Sequence, residues 1–219
     1  MTARTRLITA AGLAVLAVSL AGCKSSGDIV VDDSVGITAV RSACPAVGIP
    51  DYTGDITLFS PAGATDASAI DVTAAMTDVR STCNDSGEKV YAEVDFEVLA
   101  RRTGVQGART VQLPYFVTVM RGGTAVITKR VGTVTLNFAD GQERAQAHAR
   151  GAAYIDKSEA TLPADIRERI TRKRRAGDAD AAIDPLAQPD VKAALARATF
   201  EVLVGFQLDD KQLTYNATR

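Results

Sequence analysis

The sequence predicts an all-β, mainly antiparallel domain: an immunoglobulin-like β-sandwich with a two-helix insertion before its last hairpin. Residues 90–98 alternate strictly between apolar and polar side chains, as a strand does when one face is buried and the other is wet. Residues 111–119 repeat this alternation. The dipeptides Gly122-Gly123 and Asp140-Gly141 tolerate the backbone angles of tight turns, so they are expected to join antiparallel strands.

The region before these strands predicts two more. Residues 35–40 fit a short strand, and residues 70–76 alternate like a half-buried one. Residues 44–50 are expected to form a loop, because two prolines interrupt them and proline cannot donate to a strand ladder. The letters NDSG at 84–87 predict the turn that leads into the strand at 90–98.

Two later segments need more argument. Residues 124–138 change their apolar face part-way, so we expect a bulge near Gly132. Residues 142–155 are rich in alanine, which favours helix, yet small side chains occupy every second position and face charged ones, so we assign a strand. This small-residue face has two interpretations: it lets two sheets approach closely in a sandwich, or it leaves volume inside an up-and-down β-barrel, the alternative architecture.

Helices are expected to interrupt the strands over about residues 162–198. Pro163 suits a first helical turn and is followed by a narrow apolar stripe, and a second short helix is expected to start around Pro189. Residues 200–206 return to strand alternation. After a turn, residues 213–215 are expected to end the sheet as its last strand.

Composition excludes some classes of function. The formal net charge is -1, whereas a protein that binds nucleic acid in bulk needs a basic footprint. Tryptophan is absent and aromatic residues make up 5% of the chain, which argues against an extended stacking platform for bases or sugars. We therefore expect no nucleic-acid partner.

The first 23 residues carry a targeting pattern. Arg4 and Arg6 precede an apolar run over residues 7–20 that is too short to cross a bilayer, and Leu20-Ala21-Gly22-Cys23 follows. This start resembles the signal peptide of a bacterial lipoprotein. The resemblance implies cleavage before Cys23 and acylation of Cys23, which would attach the protein to a membrane. Lys24 is not the aspartate that retains lipoproteins at the inner membrane of enteric bacteria, so the resemblance implies the outer membrane, facing the periplasm.

The lipoprotein resemblance divides the chain into a signal peptide at residues 1–22, a lipidated tether and N-terminal segment at residues 23–50, and a β-rich domain at residues 51–219. With Cys23 lipidated, Cys44 and Cys83 are left as a pair in an oxidising compartment. This predicts a disulfide between them, and two free buried thiols are the other possibility.

No site for catalysis, a cofactor or a metal is predicted. His148 is the only histidine, and no nucleophile motif such as G-x-S-x-G accompanies it. Zinc would need more thiolate or imidazole ligands than the chain offers. Asp178, Asp180 and Asp184 could hold calcium, but the glycine and glutamate of an EF-hand loop do not follow them. We therefore expect a protein that is not an enzyme and that binds no cofactor.

The densest charge in the chain lies near the end of the first predicted helix. Asp165 and Glu168 precede Arg169 and Arg172 at the four-residue spacing of helical ion pairs. The cations without such a partner form a possible surface for anionic lipid, lipopolysaccharide phosphates or an acidic protein; they are Arg167, Lys173, Arg174 and Arg175. The structural interpretation is that cations at a helix end suit its dipole and that the acidic loop at 178–184 folds back on them.

The predicted function is that of a lipid-anchored cell-envelope protein, a non-catalytic structural or interaction module that contacts another envelope component. The body of the chain, particularly residues 166–186, resembles envelope lipoproteins from alphaproteobacteria that have no assigned activity, so this resemblance adds none. The alternative is a lipocalin-like carrier that holds an apolar ligand inside a barrel. A closed strand order around a large internal pocket would favour the carrier, and two stacked sheets would favour the interaction module.

Overall fold

The structure is a computed structural model that describes residues 41–219. Within them, eight strands form two four-stranded sheets, ordered β1-β8-β5-β6 and β2-β3-β4-β7, and one sheet is curled into a half-barrel. All pairings are antiparallel except the parallel pairing of β1 with β8. The predicted all-β, mainly antiparallel architecture is therefore confirmed.

The strands are β1 (Ala46–Gly48), β2 (Asp55–Phe59), β3 (Ile70–Asn84), β4 (Lys89–Arg102), β5 (Arg109–Arg121), β6 (Ala125–Phe138), β7 (Arg144–Asp156) and β8 (Phe200–Phe206). The helices are α1 (Lys157–Ala160), α2 (Ala164–Thr171), α3 (Pro189–Ala198) and α4 (Asp210–Thr218). The predicted turns at residues 84–87, 122–123 and 140–141 each join two of these strands. The strand predicted over residues 142–155, against their helix propensity, is confirmed as β7, which begins at Arg144.

The core lies between the two sheets. Its largest buried side chains include Phe96 and Leu113, which come from the alternating runs, and Leu136, Phe138 and Phe206 from β6 and β8. A second, smaller cluster joins α2 to α3 through Ile166, Ile170 and Val191. The two-helix insertion therefore has a core of its own, as the apolar spacing predicts.

The small residues of β7 let the sheets approach closely. A Cβ added at Gly151 would lie 2.3 Å from Cγ2 of Val117 on β5. Beside it, the hydroxyl of Tyr115 donates a 2.8 Å hydrogen bond to the carbonyl of Arg150. Of the two interpretations of the small-residue face, the structure shows the close approach at Gly151.

The last element is a helix, which corrects the predicted final strand at 213–215. Asp209 caps α4 by accepting a hydrogen bond from the Gln212 amide, and the Gln212 side chain accepts one in return from the Asp209 amide. This capping box satisfies backbone donors that a strand would have to pair. The helix packs on β2, where Asn216 donates hydrogen bonds to the carbonyls of Tyr52 and Asp55. The helical insertion thus precedes a single strand, β8, rather than a hairpin.

The bulge in β6 lies elsewhere than predicted. Pairing with β5 continues through Gly132, and the shift occurs where Val119 pairs with Thr128 but Met120 pairs with Val126, which leaves Ile127 unpaired. Gly132 has a different role, because a Cβ added there would lie 2.6 Å from the ring of Tyr115. The bulge therefore lies at Ile127, and Gly132 is instead the point where the Tyr115 ring approaches the backbone of β6.

Residues 41–50 pack into the sandwich, and they contain a short strand where the sequence predicts a loop over 44–50 within the lipidated tether and N-terminal segment. Residues 46–48 form β1 at the edge of one sheet, and the predicted disulfide joins Cys44 to Cys83 on β3 of the other. Their Cα atoms are 6.0 Å apart, and 39 positions separate them in the chain. Closing a loop of this size is worth roughly 4 kcal/mol in the chain-entropy model. The predicted strand at 35–40, the signal peptide and Cys23 lie outside the described residues.

A buried arginine ties the loops at one end of the sandwich. Arg102, at the end of β4, is 1% exposed. Its guanidinium donates hydrogen bonds of 2.7 to 2.9 Å to four backbone carbonyls, those of Val105, Gly107, Ala139 and Gln142. It also lies 5.3 Å from the ring centroid of Phe138. Because these carbonyls belong to the β4–β5 and β6–β7 loops, one side chain fixes both.

Candidate functional site

The candidate site is the β6 edge, defined here as residues 125–133, the half of β6 next to the β5–β6 turn. Gly122 and Gly123 form this turn with positive φ angles of 60° and 73°, which glycine adopts without strain. In the described part of the chain, β6 hydrogen-bonds to β5 alone and ends its sheet. Its other side therefore presents the unpaired backbone groups of an edge strand.

The close approach at Gly151 explains why this half of β6 is exposed. Val117 and Tyr115 of β5 contact β7 directly, so the opposite sheet covers β5 and leaves the neighbouring residues of β6 uncovered. Tyr115 lies against Gly132 and fills the space between the strands, and burial raises the pKa of its phenol. Beyond Gly132 the strand returns to the core, where Val134 and Leu136 are buried.

Apolar side chains stand out on the β6 edge. Val126 and Val131 are each 61% exposed and Ile127 is 45% exposed, so three β-branched residues face solvent on one short segment. Such a cluster on an edge strand is a typical feature of interaction sites. Lys129 and the bulge at Ile127 are features by which proteins keep an edge strand from aggregating.

The charge of the β6 edge has one sign. The sequence from Arg109 to Phe138 contains four cations and no Asp or Glu. Arg109 and Arg121 are paired with Asp71 and Glu159, which lie outside the hairpin. Among residues 41–219, Lys129 and Arg130 have no ion-pair partner, although the ammonium of Lys129 lies 4.8 Å from the ring centroid of Phe116. An acidic partner would therefore meet uncompensated positive charge at this edge.

The predicted basic surface is only partly exposed. Arg167, Lys173 and Arg175 lie on the surface, but the side chain of Arg174 is 3% exposed and cannot reach a membrane or a partner. Its Nη2 donates a 3.1 Å hydrogen bond to the carbonyl of Arg169, and its Nε lies 3.6 Å from Oδ2 of Asp180. Arg174 is thus a structural residue, and its place in the predicted surface is corrected.

Tertiary ion pairs replace the expected helical ones. Arg169 pairs with Asp190 at the start of α3, and Arg172 pairs with Asp180 in the loop that follows α2. The acidic loop therefore folds back on the basic helix, as the structural interpretation proposes. Asp184 accepts a hydrogen bond from the Leu186 amide and caps a short 3-10 turn.

The other candidates for chemistry have ordinary surroundings. His148 lies exposed on β7, with its Nε2 3.7 Å from Oε1 of Glu97. Over residues 41–219, no group of three or more His, Cys, Asp or Glu side chains is placed to hold a metal ion. None of the helices described there is long and apolar enough to cross a membrane.

Comparison with known proteins gives no match to a protein-family model, to a curated protein or to a solved structure. The function must therefore be argued from the chemistry of the surface. The β6 edge is not apparent from hydrophobicity alone, because the apolar residues of 124–138 have the alternation of a strand that faces a core. The available signal was charge: a hairpin of this length without one carboxylate is visible in the sequence.

Proposed function

We propose that this protein is a lipid-anchored, non-catalytic interaction module of the bacterial cell envelope, attached through Cys23 to the outer membrane and facing the periplasm. We further propose that its β6 edge binds an extended, acidic segment of another envelope protein by strand addition. The observation that carries this proposal is the exposure of Val126, Ile127 and Val131 on an edge strand that also bears Lys129 and Arg130.

Strand addition would involve the backbone groups, the apolar side chains and the cations of the β6 edge. Backbone groups on the free side of β6 would supply hydrogen bonds, which give affinity without depending on sequence. The exposed apolar side chains would contact every second residue of the added strand. Lys129 and Arg130 would select a segment with Asp or Glu beside its apolar residues, since opposite charges across strands are favourable.

A second copy of this chain is a poorer occupant. If two β6 edges paired antiparallel about this stretch, Lys129 and Arg130 of one copy would lie near those of the other, and like charges opposite each other destabilise a sheet. The open strand order supports an interaction module over the barrel-type carrier, because β6 and β7 are not hydrogen-bonded to each other in the described chain.

Anionic lipid is a second candidate partner, for the exposed part of the basic cluster. Arg167 and Arg41 line one small cavity of about 170 Å³. Arg41 follows Cys23 by 18 positions in the sequence. If Cys23 carries lipid and brings these cations to an anionic surface, each would contribute about 1 kcal/mol.

Photocrosslinking in the native envelope tests the main proposal. A photoreactive amino acid at Val131 should yield a crosslink whose mapped peptide is an acidic, apolar segment of one protein. The matched control is the same group at Tyr154, which is 59% exposed on the other sheet. Lys129→Glu with Arg130→Glu should abolish the Val131 crosslink, whereas Arg175→Glu should leave it unchanged. Equal crosslinking from both positions, or a product formed only with lipid or with a second copy, would contradict the proposal.

The anchor needs a separate test. Cys23→Ser should release the protein from membranes or leave the precursor uncleaved, because stable anchoring depends on several acyl chains at ~0.8 kcal/mol per buried methylene. Unchanged processing and membrane association in this variant would refute the lipid attachment.

A further inference from the structure

A groove of about 690 Å³ lies on the outer face of the β2-β3-β4-β7 sheet, away from the β6 edge. Ala75 of β3 and Leu99 of β4 are direct register partners and form its floor. Arg219, directly after α4, closes one side by pairing with Asp55 of β2. The groove is thus a feature of tertiary structure, formed where the last helix packs beside the sheet.

The floor of this groove interrupts a polar surface. On the outer face of β4, the residues before Leu99 at every second position are Glu93, Asp95 and Glu97. Leu99 continues that face, yet it is apolar and 45% exposed. The exposed apolar floor is therefore confined to the end of β4 that lies under Arg219.

Three guanidinium groups surround this floor. Arg101 and Arg144 are direct partners in the β4–β7 register, and like charges in that position destabilise a sheet. Arg101 uses its Nε to bind Glu143, but among residues 41–219 the guanidinium of Arg144 has no ion-pair or hydrogen-bond partner. The groove lining thus contains three arginines and one carboxylate, that of Asp55.

We propose that this groove binds a small amphiphile with one anionic head and an aliphatic chain. The carboxylate or phosphate head would lie between Arg144 and Arg101 and offset their mutual repulsion. The aliphatic chain would lie along Leu99 and Ala75 toward Arg219. Guanidinium groups are suited to both heads, because their planar donors match carboxylate and phosphate oxygens.

This site differs from the one that a lipocalin-like carrier would have. This groove is open to solvent on the outer face of one sheet. A barrel-type carrier instead holds its ligand inside the barrel, where the strands enclose it. The inference is also independent of the β6 edge, since the two surfaces belong to different sheets. Binding at the groove can therefore succeed or fail whatever the outcome for the proposed partner.

Photoaffinity labelling of the full chain, in nanodiscs of neutral phosphatidylcholine, tests the proposal. The probe is decanoate that carries a diazirine in its chain. We expect labelled peptides from the end of β4 and from α4. Unlabelled decanoate or decyl phosphate should compete with the probe and reduce labelling, whereas decanol, which has no anionic head, should compete only weakly. The stronger of the two anionic competitors identifies the head group. Arg144→Gln should weaken labelling about tenfold, because a hydrogen bond to a charged group is lost.

Two further variants make the test specific. Leu99→Gln should also weaken labelling, since it removes the apolar floor while leaving every arginine in place. Arg150→Gln is the matched control, because Arg150 lies on the same face of β7 but outside the groove, near Glu93 and Asp95. Labelling that is unchanged in Arg144→Gln, equal competition by decanol, or a crosslink between two copies through the groove would each overturn the inference.

Discussion

Gly151→Ala tests the reason that the β6 edge is exposed at all. The added Cβ would lie 2.3 Å from Cγ2 and 3.3 Å from Cβ of Val117, while ordinary contacts begin near 3.4 Å. Val117 is itself only 7% exposed and belongs to the core between the two sheets. Overpacking of this kind costs about 1 to 3 kcal/mol, so the melting temperature should fall by about 2 to 12 °C for a domain of this size.

Circular dichroism during thermal and urea unfolding is the suitable assay, because the chain has no tryptophan. Gly104→Ala is the matched control, since nothing lies within 4 Å of a Cβ added there and the change should be neutral or slightly stabilising. In the double variant with Val117→Ala, the cost should be at least about 0.5 kcal/mol smaller than the sum of the single costs. If Gly151→Ala behaves like Gly104→Ala, or if the double variant is additive, β7 does not press on β5 and the account of the β6 edge is wrong.

Two other perturbations test what holds the sandwich together. Arg102→Met should lower the free energy of unfolding by about 3 kcal/mol or more, because four carbonyls lose a charged donor. Arg101 is the exposed neighbour, and Arg101→Met should lower this free energy by less than about 1 kcal/mol. Urea unfolding measures both changes. Equal effects would mean that Arg102 does not fix the loops. Two 2.6 Å hydrogen bonds from Arg109 lower the pKa of Asp71. The pair therefore stabilises the fold at pH values above the unfolded-state pKa of about 3.9, and this contribution is lost as the pH falls through the lower folded-state pKa. Asp71→Asn should therefore reduce stability at neutral pH by about 1 kcal/mol or less and flatten the acid limb of stability against pH, and an unchanged limb would contradict this.

Local alternation was sufficient to predict most of the sheet. The runs at 90–98 and 111–119 have one face that a core must bury, and the structure buries Phe96 and Leu113 from those faces. The same logic assigned β7 correctly against the helix propensity of its alanines, because charges at every second position cannot share one face of a helix. The period of apolar residues and the residue types of a turn depend only on neighbouring positions in the chain. Strands and turns can therefore be predicted from them without knowing which strand pairs with which.

The sequence contains a signal for the final helix that competes with the strand pattern predicted over 213–215. Asp209 and Gln212 have the spacing of a capping box, and this favours a helix start. The strand predicted over 213–215 depends on three residues, a segment too short for alternation to be decisive. A defined cap is stronger evidence than three residues of pattern, since it satisfies specific backbone donors.

The fate of Arg174 could not be predicted from spacing. Helical geometry relates residues three or four apart, but Arg174 follows the end of α2 and its neighbours are the carbonyl of Arg169 and the carboxylate of Asp180. The Arg174 side chain is buried rather than exposed only because of the path that the loop after α2 takes. The same holds for Arg219, whose position beside Asp55 depends on where α4 packs.

Net charge concealed the most informative feature of the surface. A total of -1 argues against bulk binding of nucleic acid, yet it averages two regions of opposite charge. The outer face of β4 carries Glu93, Asp95 and Glu97, whereas the hairpin from Arg109 to Phe138 has no carboxylate. Since electrostatic effects between exposed charges fade beyond about 8 Å at physiological ionic strength, a partner at the β6 edge would experience Lys129 and Arg130 rather than the total. The proposed selection of an acidic segment would therefore be a local property of this edge, and it is compatible with a chain that is weakly acidic overall.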